Sequence, residues 1–222
     1  FNLVEFNEFL SSLKIIEINQ LSLQSILEYT IASGKRELFG QFTTPEKLAD
    51  LLVRFTATNL TLASIDPCCG TGTISQSLLN YKIENGIATN TALETTWASD
   101  KFSFPLQIAS ISMSRNASMN QPLRVFQANA FNLQSLGAIQ LVDPATGNQL
   151  TFELPTFGSI VSNLPFVPFE IISSDEKKEI NRLANRIKAE TNIKLDERSD
   201  LYQYIIFSLY GLLTDGGRLG II

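Results

Sequence analysis

Asn163-Leu164-Pro165-Phe166 combines an amide side chain, a backbone carbonyl and an aromatic ring just after the apolar run Phe157 to Val161. An amide oxygen and a carbonyl can accept both hydrogens of one amino group, and an aromatic face can stack on a flat ring. The tetrapeptide is therefore suited to hold a flat base that carries an amino group. Because Asn-x-Pro is also an ordinary exit from a strand into a turn, the tetrapeptide alone leaves both interpretations open.

A second motif, Asp66-Pro67-Cys68-Cys69-Gly70-Thr71-Gly72-Thr73, lies upstream between an apolar strand-like run and a helix-like pattern. A glycine-rich turn at such a place lets the backbone approach a ligand, in the crevice at the carboxyl ends of parallel strands. Asp100 ends the next predicted strand, 28 residues after Gly72, where a carboxylate would bind a ribose. Ser75 and Gln76 follow where a dinucleotide site would have a third glycine, so a different adenosine-containing ligand is favoured.

Composition narrows the chemistry and the partners. The 222-residue chain has no His, which excludes Ser-His-Asp and Cys-His catalysis within it, and its two cysteines, adjacent in sequence, favour neither a disulfide nor a zinc site. The formal net charge of −5 predicts that this chain alone binds nucleic acid weakly. No apolar run reaches membrane-spanning length. The chain begins with Phe1 and has no leader, so we expect a part of a longer cytoplasmic protein.

The elements that must position these residues follow from the hydrophobic periodicity. Residues 1–40 have apolar residues at helical spacing and predict a helical segment, interpreted as a packing appendage. Thr44-Pro45 predicts a helix start with Thr44 as the cap. We expect the buried face of that helix to comprise Leu48, Leu51, Leu52 and Phe55. Further along, strands are predicted at 60–66, 95–100, 123–128, 157–162 and 218–222, and helices at 73–81, 103–115 and 201–213. This alternation predicts a mostly parallel, doubly wound α/β sheet.

Two segments depart from the alternation. Residues 129–157 are polar and contain Asp143-Pro144 and Thr146-Gly147-Asn148, which predicts a loop or hairpin insertion. Residues 175–200 hold seven Lys or Arg and seven Asp or Glu, which favours a solvated helix with ion pairs. The alternative is a mobile lid with phosphate contacts from Lys177, Lys178, Arg182 and Arg186. After the turn Asp215-Gly216-Gly217, the chain stops inside a strand, so we expect the sheet to continue beyond Ile222.

Together, the ordered motifs resemble those of amino-group DNA methyltransferases of the N6-adenine type, which use S-adenosylmethionine. The chain is most similar to the modification subunits of type I restriction systems and to the related fused type II enzymes. In this resemblance, Gly40 to Pro45 is the N-terminal cofactor motif, Asp66 to Gly72 cradles the cofactor, and Asp100 binds its ribose. Asn129 stands at the adenine-contacting position, where the family more often has Asp. Ser162 to Phe166 resembles the catalytic Asn-Pro-Pro-Tyr/Phe motif.

The resemblance implies a Rossmann-like S-adenosylmethionine-dependent methyltransferase fold, with an N-terminal helical segment (1–40) before the catalytic domain (41–222). DNA would bind through a target-recognition domain or specificity subunit outside this chain, and restriction subunits are possible partners. No membrane partner is implied. The implied catalytic residues are Asn163, Leu164, Pro165 and Phe166. The implied cofactor-binding residues are Phe42, Thr43, Thr44, Pro45, Asp66, Pro67, Cys68, Gly70, Thr71, Gly72, Asp100, Lys101, Asn129, Ala130 and Asn163.

In the implied reaction, the Asn163 side-chain oxygen and the Leu164 carbonyl accept the two N6 hydrogens of a flipped adenine, and Phe166 stacks on the base. Leu164 replaces the family's first proline, which keeps the carbonyl but relaxes the turn. Leu164, Asn129 and the acidic charge leave open a catalytically silent methyltransferase-like module. The Asn-Leu-Pro-Phe form also resembles ribosomal RNA adenine dimethyltransferases, which leaves an RNA substrate open. A nicotinamide oxidoreductase would leave the Asn163 motif unexplained.

Overall fold

A parallel five-stranded sheet forms the centre of the fold in the computed structural model, which describes residues 44–115, 121–167, 170, 172–193 and 200–222. The strands in chain order are β1 (Ser64–Asp66), β2 (Thr96–Asp100), β3 (Val125–Gln127), β4 (Ala138–Val142), β5 (Gln149–Glu153), β6 (Phe157–Ser162) and β7 (Leu213–Ile221). The order in the sheet is β3-β2-β1-β6-β7, with each neighbouring pair parallel. The strand order reverses between β1 and β6, which opens a ligand crevice at their carboxyl ends. The predicted doubly wound sheet is confirmed.

Helices cover both faces of this sheet. They are α1 (Glu46–Thr56), α2 (Thr73–Glu84), α3 (Thr89–Thr95), α4 (Ser103–Met113), α5 (Ser174–Thr191) and α6 (Leu201–Tyr210), with a short 3-10 turn at Ala130–Asn132. Successive strand residues point to opposite faces. In β6, Ile160 packs with α5 and α6, whereas Val161 packs with α1 and α2. In β2, Trp97 packs on the same face as Ile160, whereas Ala98 packs on the opposite face against α2, α3 and α4. The sheet is therefore covered on both sides, and small polar strand residues such as Ser64, Ser99 and Ser159 are buried together with the apolar ones.

Most predicted bounds agree with the structure to within three residues. β6 matches its prediction, and β2, β3, α2, α4 and α6 differ by one to three residues at their ends. β1 begins at Ser64 instead of Leu60 because Asn59 Oδ1 accepts hydrogen bonds from Thr61 N–H (3.2 Å) and Thr61 Oγ1 (2.7 Å), which makes a turn there. Helix α3 was not predicted, since its threonine-rich sequence buries little besides Ala92 and Leu93.

The last strand is longer than predicted. β7 already starts at Leu213, which pairs with Phe157, and the next pair joins Ser159 to Arg218. Between these two pairs, one residue of β6 lies opposite four residues of β7 (214–217), so the predicted turn at 215–217 is a bulge within the strand. Gly216 has a φ of +75° in this bulge, a backbone conformation that favours glycine.

Helix α1 buries a different face from the predicted one. Of the four predicted core residues, Leu52 alone packs partly against the core, and the exposed fractions of the others are 40% for Leu48, 52% for Leu51 and 71% for Phe55. The buried residues are Ala49, Val53 and Thr56. The cause is a close approach to the sheet: a Cβ at Gly220 in β7 would lie 2.0 Å from Thr56 Oγ1. Bulky leucines do not fit at such a contact, so the smaller side chains face inward.

The two unusual segments both form secondary structure. β4 and β5 pair as an antiparallel hairpin, which confirms the hairpin form of the insertion. Helix α5 accounts for most of the charged segment, and Ser173 caps it by accepting a hydrogen bond from the Glu176 N–H at 3.3 Å. The helix also has an apolar face in the core, formed by Ile180, Leu183 and Ile187. Its ion pair reaches Lys101, outside the helix, from Glu176.

Some predictions concern residues that the structure does not describe. The helical segment 1–40 and the cofactor residues Phe42 and Thr43 lie outside the described residues. Among the described helices, none is long and apolar enough to cross a membrane.

Candidate cofactor and catalytic site

The turn between β1 and α2 contains two glycines with different roles. Gly72 has a φ of +89°, and a Cβ there would lie 2.9 Å from Cα and Cβ of Ala109 on α4. Gly70 has a φ of +52°, and a Cβ there would meet no atom within 4 Å in the described structure. Gly72 therefore lets α2 and α4 pack closely, whereas Gly70 leaves open space beside the backbone.

Asp66 ends β1 as a buried carboxyl that is 1% exposed. Its Oδ1 accepts hydrogen bonds from the Ser162 hydroxyl at 2.7 Å and from the Cys68 N–H at 3.3 Å. Burial raises the pKa of Asp66 from 3.8 to about 7, against the opposing effect of these hydrogen bonds. Since Ser162 ends β6, its bond to Asp66 joins β1 and β6 at the switch point of the sheet.

Hydrogen bonds join the residues between Asp66 and Gly70 to β2. Ser99 Oγ donates to the Pro67 carbonyl at 3.3 Å, and the Cys69 N–H donates to the Ser99 carbonyl at 2.9 Å. Both cysteines are free thiols, and burial raises their pKa well above the ordinary value. Cys68 and Cys69 are therefore protonated, unreactive parts of the turn.

Asp100 brings the end of β2 to the glycine turn. Its Oδ2 accepts the Gly70 N–H at 2.9 Å and its Oδ1 accepts the Phe102 N–H at 2.9 Å. Burial raises the pKa of Asp100 from its ordinary value, against these hydrogen bonds. The carboxyl is part-exposed, so its remaining lone pairs can meet hydroxyl groups of a ligand. The two groups that the sequence assigned to one ligand are thus in direct contact.

Asn129 and Lys101 follow the neighbouring strands β3 and β2. Asn129 Oδ1 caps the 3-10 turn by accepting the Phe131 N–H at 3.2 Å, and its Nδ2 donates to Glu179 Oε2 at 3.4 Å. The acceptor that the sequence assigned to Asn129 is therefore engaged by the backbone. Lys101 pairs with Glu176. Ala130 is buried, and its carbonyl lies 3.4 Å from Ser208 Oγ on α6.

Asn163 follows β6 and is oriented by Thr44. Asn163 Nδ2 donates to Thr44 Oγ1 at 3.2 Å. The prediction that Thr44 caps α1 is wrong, because the N-cap residue is Pro45 and the Thr44 hydroxyl bonds to Asn163 instead. With the amide nitrogen held by Thr44, the acceptor Oδ1 lies on the other branch of the amide. Two motifs separated by 119 residues thus meet in one site.

The turn at Leu164 is anchored on both its backbone and its side chain. The Leu164 N–H donates to the Ile222 carbonyl at 3.2 Å, and the Ile222 N–H donates to the Ser162 carbonyl at 3.2 Å. The Leu164 side chain is 1% exposed and belongs to the core. A proline would lack this N–H, so leucine replaces the rigidity of a ring with a hydrogen bond and buried surface. The turn is therefore not relaxed in the way that the sequence suggested.

Phe166 presents an aromatic face beyond this turn. Its side chain is 48% exposed, and its ring centroid lies 5.3 Å from that of Tyr202 at an interplanar angle of 47°. Tyr202 lies in the first turn of α6, which is joined to the loop by the Leu201 N–H to Val167 carbonyl bond of 3.2 Å. Pro165 is half-buried between Leu164 and Phe166. The exposed Phe166 ring, three residues after Asn163, is thus supported by the half-buried ring of Tyr202.

Sequence reasoning missed several contributors to this site. It did not assign Ser162 as the partner of Asp66. Thr71, which the motif did assign to the cofactor site, is buried, and its carbonyl accepts a hydrogen bond from Ser112 Oγ at 3.5 Å. It also gave no role to Glu179, because nothing local distinguishes this residue from the other acidic residues of a mixed-charge helix. The pairing with Asn129 arises only from the tertiary fold.

The sequence matches the model of the RMKL-like methyltransferase domain family over residues 33–205, which is more than half of the chain. The chain belongs to the RMKL-like methyltransferase family. A comparison of this methyltransferase domain with curated proteins found no match.

Solved structures share the fold of this RMKL-like domain. The methyltransferase subunit of a type I restriction-modification system from Streptococcus thermophilus is 14% identical with a TM-score of 0.51, over 81% of this chain and 34% of that chain. A protein from Listeria monocytogenes, classed as a class I S-adenosylmethionine-dependent methyltransferase, is 16% identical with a TM-score of 0.52, over 90% and 50%. The type ISP restriction-modification enzyme LlaBIII, solved bound to DNA, is 14% identical with a TM-score of 0.51, over 81% and 14%.

At these identities the likeness establishes the fold alone, and it confirms the Rossmann-like methyltransferase fold expected from the sequence. The chain spans half or less of the length of each of these proteins. As a methyltransferase domain of this fold, the chain uses S-adenosylmethionine as its cofactor. The residues fit that group, since the open backbone at Gly70 and the part-exposed carboxyl of Asp100 lie together at the switch point, where a nucleoside has both space and a hydroxyl acceptor.

Proposed function

We propose that this chain is the catalytic domain of a site-specific DNA methyltransferase that transfers a methyl group from S-adenosylmethionine to N6 of adenine, within a restriction-modification system. One observation carries the proposal: Asn163, held by Thr44, lies at the carboxyl end of β6 next to the switch point, followed directly by the anchored Leu164 and the exposed ring of Phe166. The amide oxygen and the carbonyl can accept the two hydrogens of a primary amine, and the ring can stack on the flat base that carries it.

The cofactor would lie across the ends of β1, β2 and β3. Its residues are those implied by the motifs: the 42–45 segment near the methionine part, the turn from Asp66 to Gly72, Asp100 and Lys101 at the ribose, and Asn129 and Ala130 at the adenine. When bound, the cofactor supplies a methyl group on a positively charged sulfur. The domain division into a helical segment (1–40) and a catalytic domain (41–222) is part of this proposal.

The protein's task is to make the adenine amine a nucleophile. Its lone pair is delocalised into the ring, so Asn163 Oδ1 and the Leu164 carbonyl accept the two amine hydrogens and favour a tetrahedral nitrogen. The same two acceptors stabilise the positive charge that develops on the nitrogen. This route requires no strong base, in agreement with a chain that has no His. The exposed ring of Phe166, supported by Tyr202, would stack on the base, which contributes about 1–3 kcal/mol.

The substrate must be delivered to this site by other parts of the protein or its partners. N6 is enclosed in a duplex, so the adenine has to be flipped out. A chain with a net charge of −5 supplies little attraction for phosphates. We therefore assign sequence recognition to a target-recognition domain or specificity subunit outside the chain. Restriction subunits would be further partners.

The test is Asn163→Ala in the full-length protein, measured as transfer of tritiated methyl from S-adenosylmethionine to DNA. We expect the rate to fall by roughly 100- to 1,000-fold, as for the loss of one charge-stabilising group, and titration calorimetry of the cofactor to show a much smaller loss of affinity. Asn148→Ala, in the exposed turn between β4 and β5, is the matched control and should retain normal transfer. Near-normal methyl transfer by Asn163→Ala would refute the catalytic role of Asn163. Incorporation of the methyl group into ribosomal RNA instead of DNA would mean that the substrate is RNA.

A further inference from the structure

The first two turns of helix α5 lie at the ends of β2 and β3. It follows the Asn163 turn in sequence, and its first turn pairs with Lys101, next to Asp100. One helical turn further, Glu179 meets Asn129 after β3. Residues 176 and 179 are three apart, so both carboxylates lie on the same side of the helix. This side of α5 therefore faces the strand ends where the proposed function places the ribose and the base.

The position of the base follows from the order of the strands. Asp100 ends β2 and contacts the glycine turn after β1, so the ribose lies between β1 and β2. β3 is the next strand outward and the edge of the sheet. The base attached to that ribose would then lie over the end of β3, beside Asn129. No further strand follows there in the described sheet, so additional groups for the base must come from a covering element such as α5.

Asn129 is the weaker acceptor of the two side chains at this position, because its oxygen is neutral and already accepts one hydrogen bond. The 6-amino group of adenine is a hydrogen-bond donor and needs an acceptor. Asn129 Oδ1 is engaged by the Phe131 N–H at 3.2 Å, and Asn129 Nδ2 is itself a donor, aimed at Glu179 Oε2 at 3.4 Å. The carboxylate of Glu179 is therefore the strong acceptor beside Asn129.

Resting on the proposed function, we infer that Glu179 supplies the acceptor for the 6-amino group of the cofactor's adenine, with Asn129 orienting its carboxylate. The Glu176–Lys101 pair and the Ser173 cap hold the first turn of α5, and Ile180 anchors the next position in the core. Glu179 is thus carried on a helix that is fixed on both sides of it. The negative charge that position 129 lacks is provided from another element.

The experiment compares two ligands on the whole chain: S-adenosylhomocysteine and its deaminated analogue S-inosylhomocysteine, which has an oxygen in place of the 6-amino group. Titration calorimetry gives both dissociation constants for the unsubstituted protein and for Glu179→Ala. We expect the variant to lose roughly 10-fold or more in affinity for the adenosyl ligand, as for a hydrogen bond to a charged group, and less than about 2-fold for the inosyl ligand. Glu170→Gln, an exposed carboxylate ahead of the helix, is the control and should change neither constant.

Asn129→Asp supplies a second, independent readout. In the Glu179→Ala background it returns a carboxylate to the edge of β3 and should restore the preference for the adenosyl ligand. In the unsubstituted protein it places two carboxylates together and should weaken adenosyl binding. A variant that loses affinity equally for both ligands, or for neither, would overturn the inference while leaving the proposed function in place. If the unsubstituted protein bound neither ligand, the proposed function would fail as well.

Discussion

Replacing Asp66 with Asn should raise the free energy of unfolding at neutral pH. Burial raises the pKa of Asp66 from 3.8 to about 7, so between these values the folded state holds a proton that the unfolded state has released. The stability contributed by this proton is fully present below pH 3.8 and is lost as the pH rises to about 7. At 1.36 kcal/mol per pH unit, the loss is at most roughly 4 kcal/mol. The asparagine side chain has no charge to bury, so the variant avoids this loss of stability.

The surroundings of Asp66 can accommodate the amide. The remaining oxygen can still accept from the Ser162 hydroxyl and the Cys68 N–H. The buried Ser75 hydroxyl has no hydrogen-bond partner among the described residues and lies close enough to lower the pKa of Asp66, so it can accept from the new nitrogen. We therefore expect Asp66→Asn to be about 2–4 kcal/mol more stable than the unsubstituted protein at pH 8 and nearly equal to it at pH 4.

The assay is urea unfolding at pH steps from 4 to 8, followed by the fluorescence of Trp97, the one tryptophan of the chain. The ring is 5% exposed in the core, so its emission reports global unfolding. Above pH 7 the buried Lys82, whose pKa is lowered by burial to about 7, adds a pH dependence of its own. The difference between variant and unsubstituted protein removes that contribution.

Asp50→Asn is the matched control for this experiment. Asp50 also accepts a serine hydroxyl, from Ser77 at 2.6 Å, but it is exposed on α1. Its replacement should change the free energy of unfolding by less than about 1 kcal/mol. If the stability difference for Asp66→Asn stayed constant from pH 4 to pH 8, the carboxylate would be ionised without penalty and the reasoning from burial would be wrong.

Three further substitutions test the packing around the site by denaturant unfolding. Gly72→Ala should lower the free energy of unfolding by about 3 kcal/mol or more, because its φ is +89° and the new Cβ would lie 2.9 Å from the backbone of α4. Gly70→Ala, with φ +52° and open space around the new Cβ, should lower it by about 1 kcal/mol. Equal losses of stability for the two variants would contradict this reasoning. Leu164→Pro should cost about 2–4 kcal/mol, because it removes the N–H that donates to the last residue of the chain and shrinks a side chain that is 1% exposed; unchanged stability would mean that the turn does not depend on this bond.

The sheet was largely predictable because its strands are buried on both faces. Burial on both faces requires nearly continuous apolar runs, and β6 with its neighbours carries that pattern in the sequence itself. The glycine turn and Asp100 were predictable for a related reason: parallel strands end at one edge, so residues that follow them meet there whatever the details of packing. Helix α3 was not predicted because a short, threonine-rich helix has no clear hydrophobic periodicity.

The roles of individual side chains depended on contacts between distant segments. The orientation of α1 was set by Gly220, 164 residues after Thr56, and not by the helix's own leucines. Thr44 has the form of a helix cap in sequence, yet its hydroxyl orients Asn163. The sequence by itself thus determined the fold class, the methyltransferase motifs and which residues follow the strand ends, since these depend on local pattern. Tertiary structure alone decided which donor meets which acceptor, including Glu179 beside Asn129, because a hydrogen bond depends on positions in space and leaves no mark in local sequence.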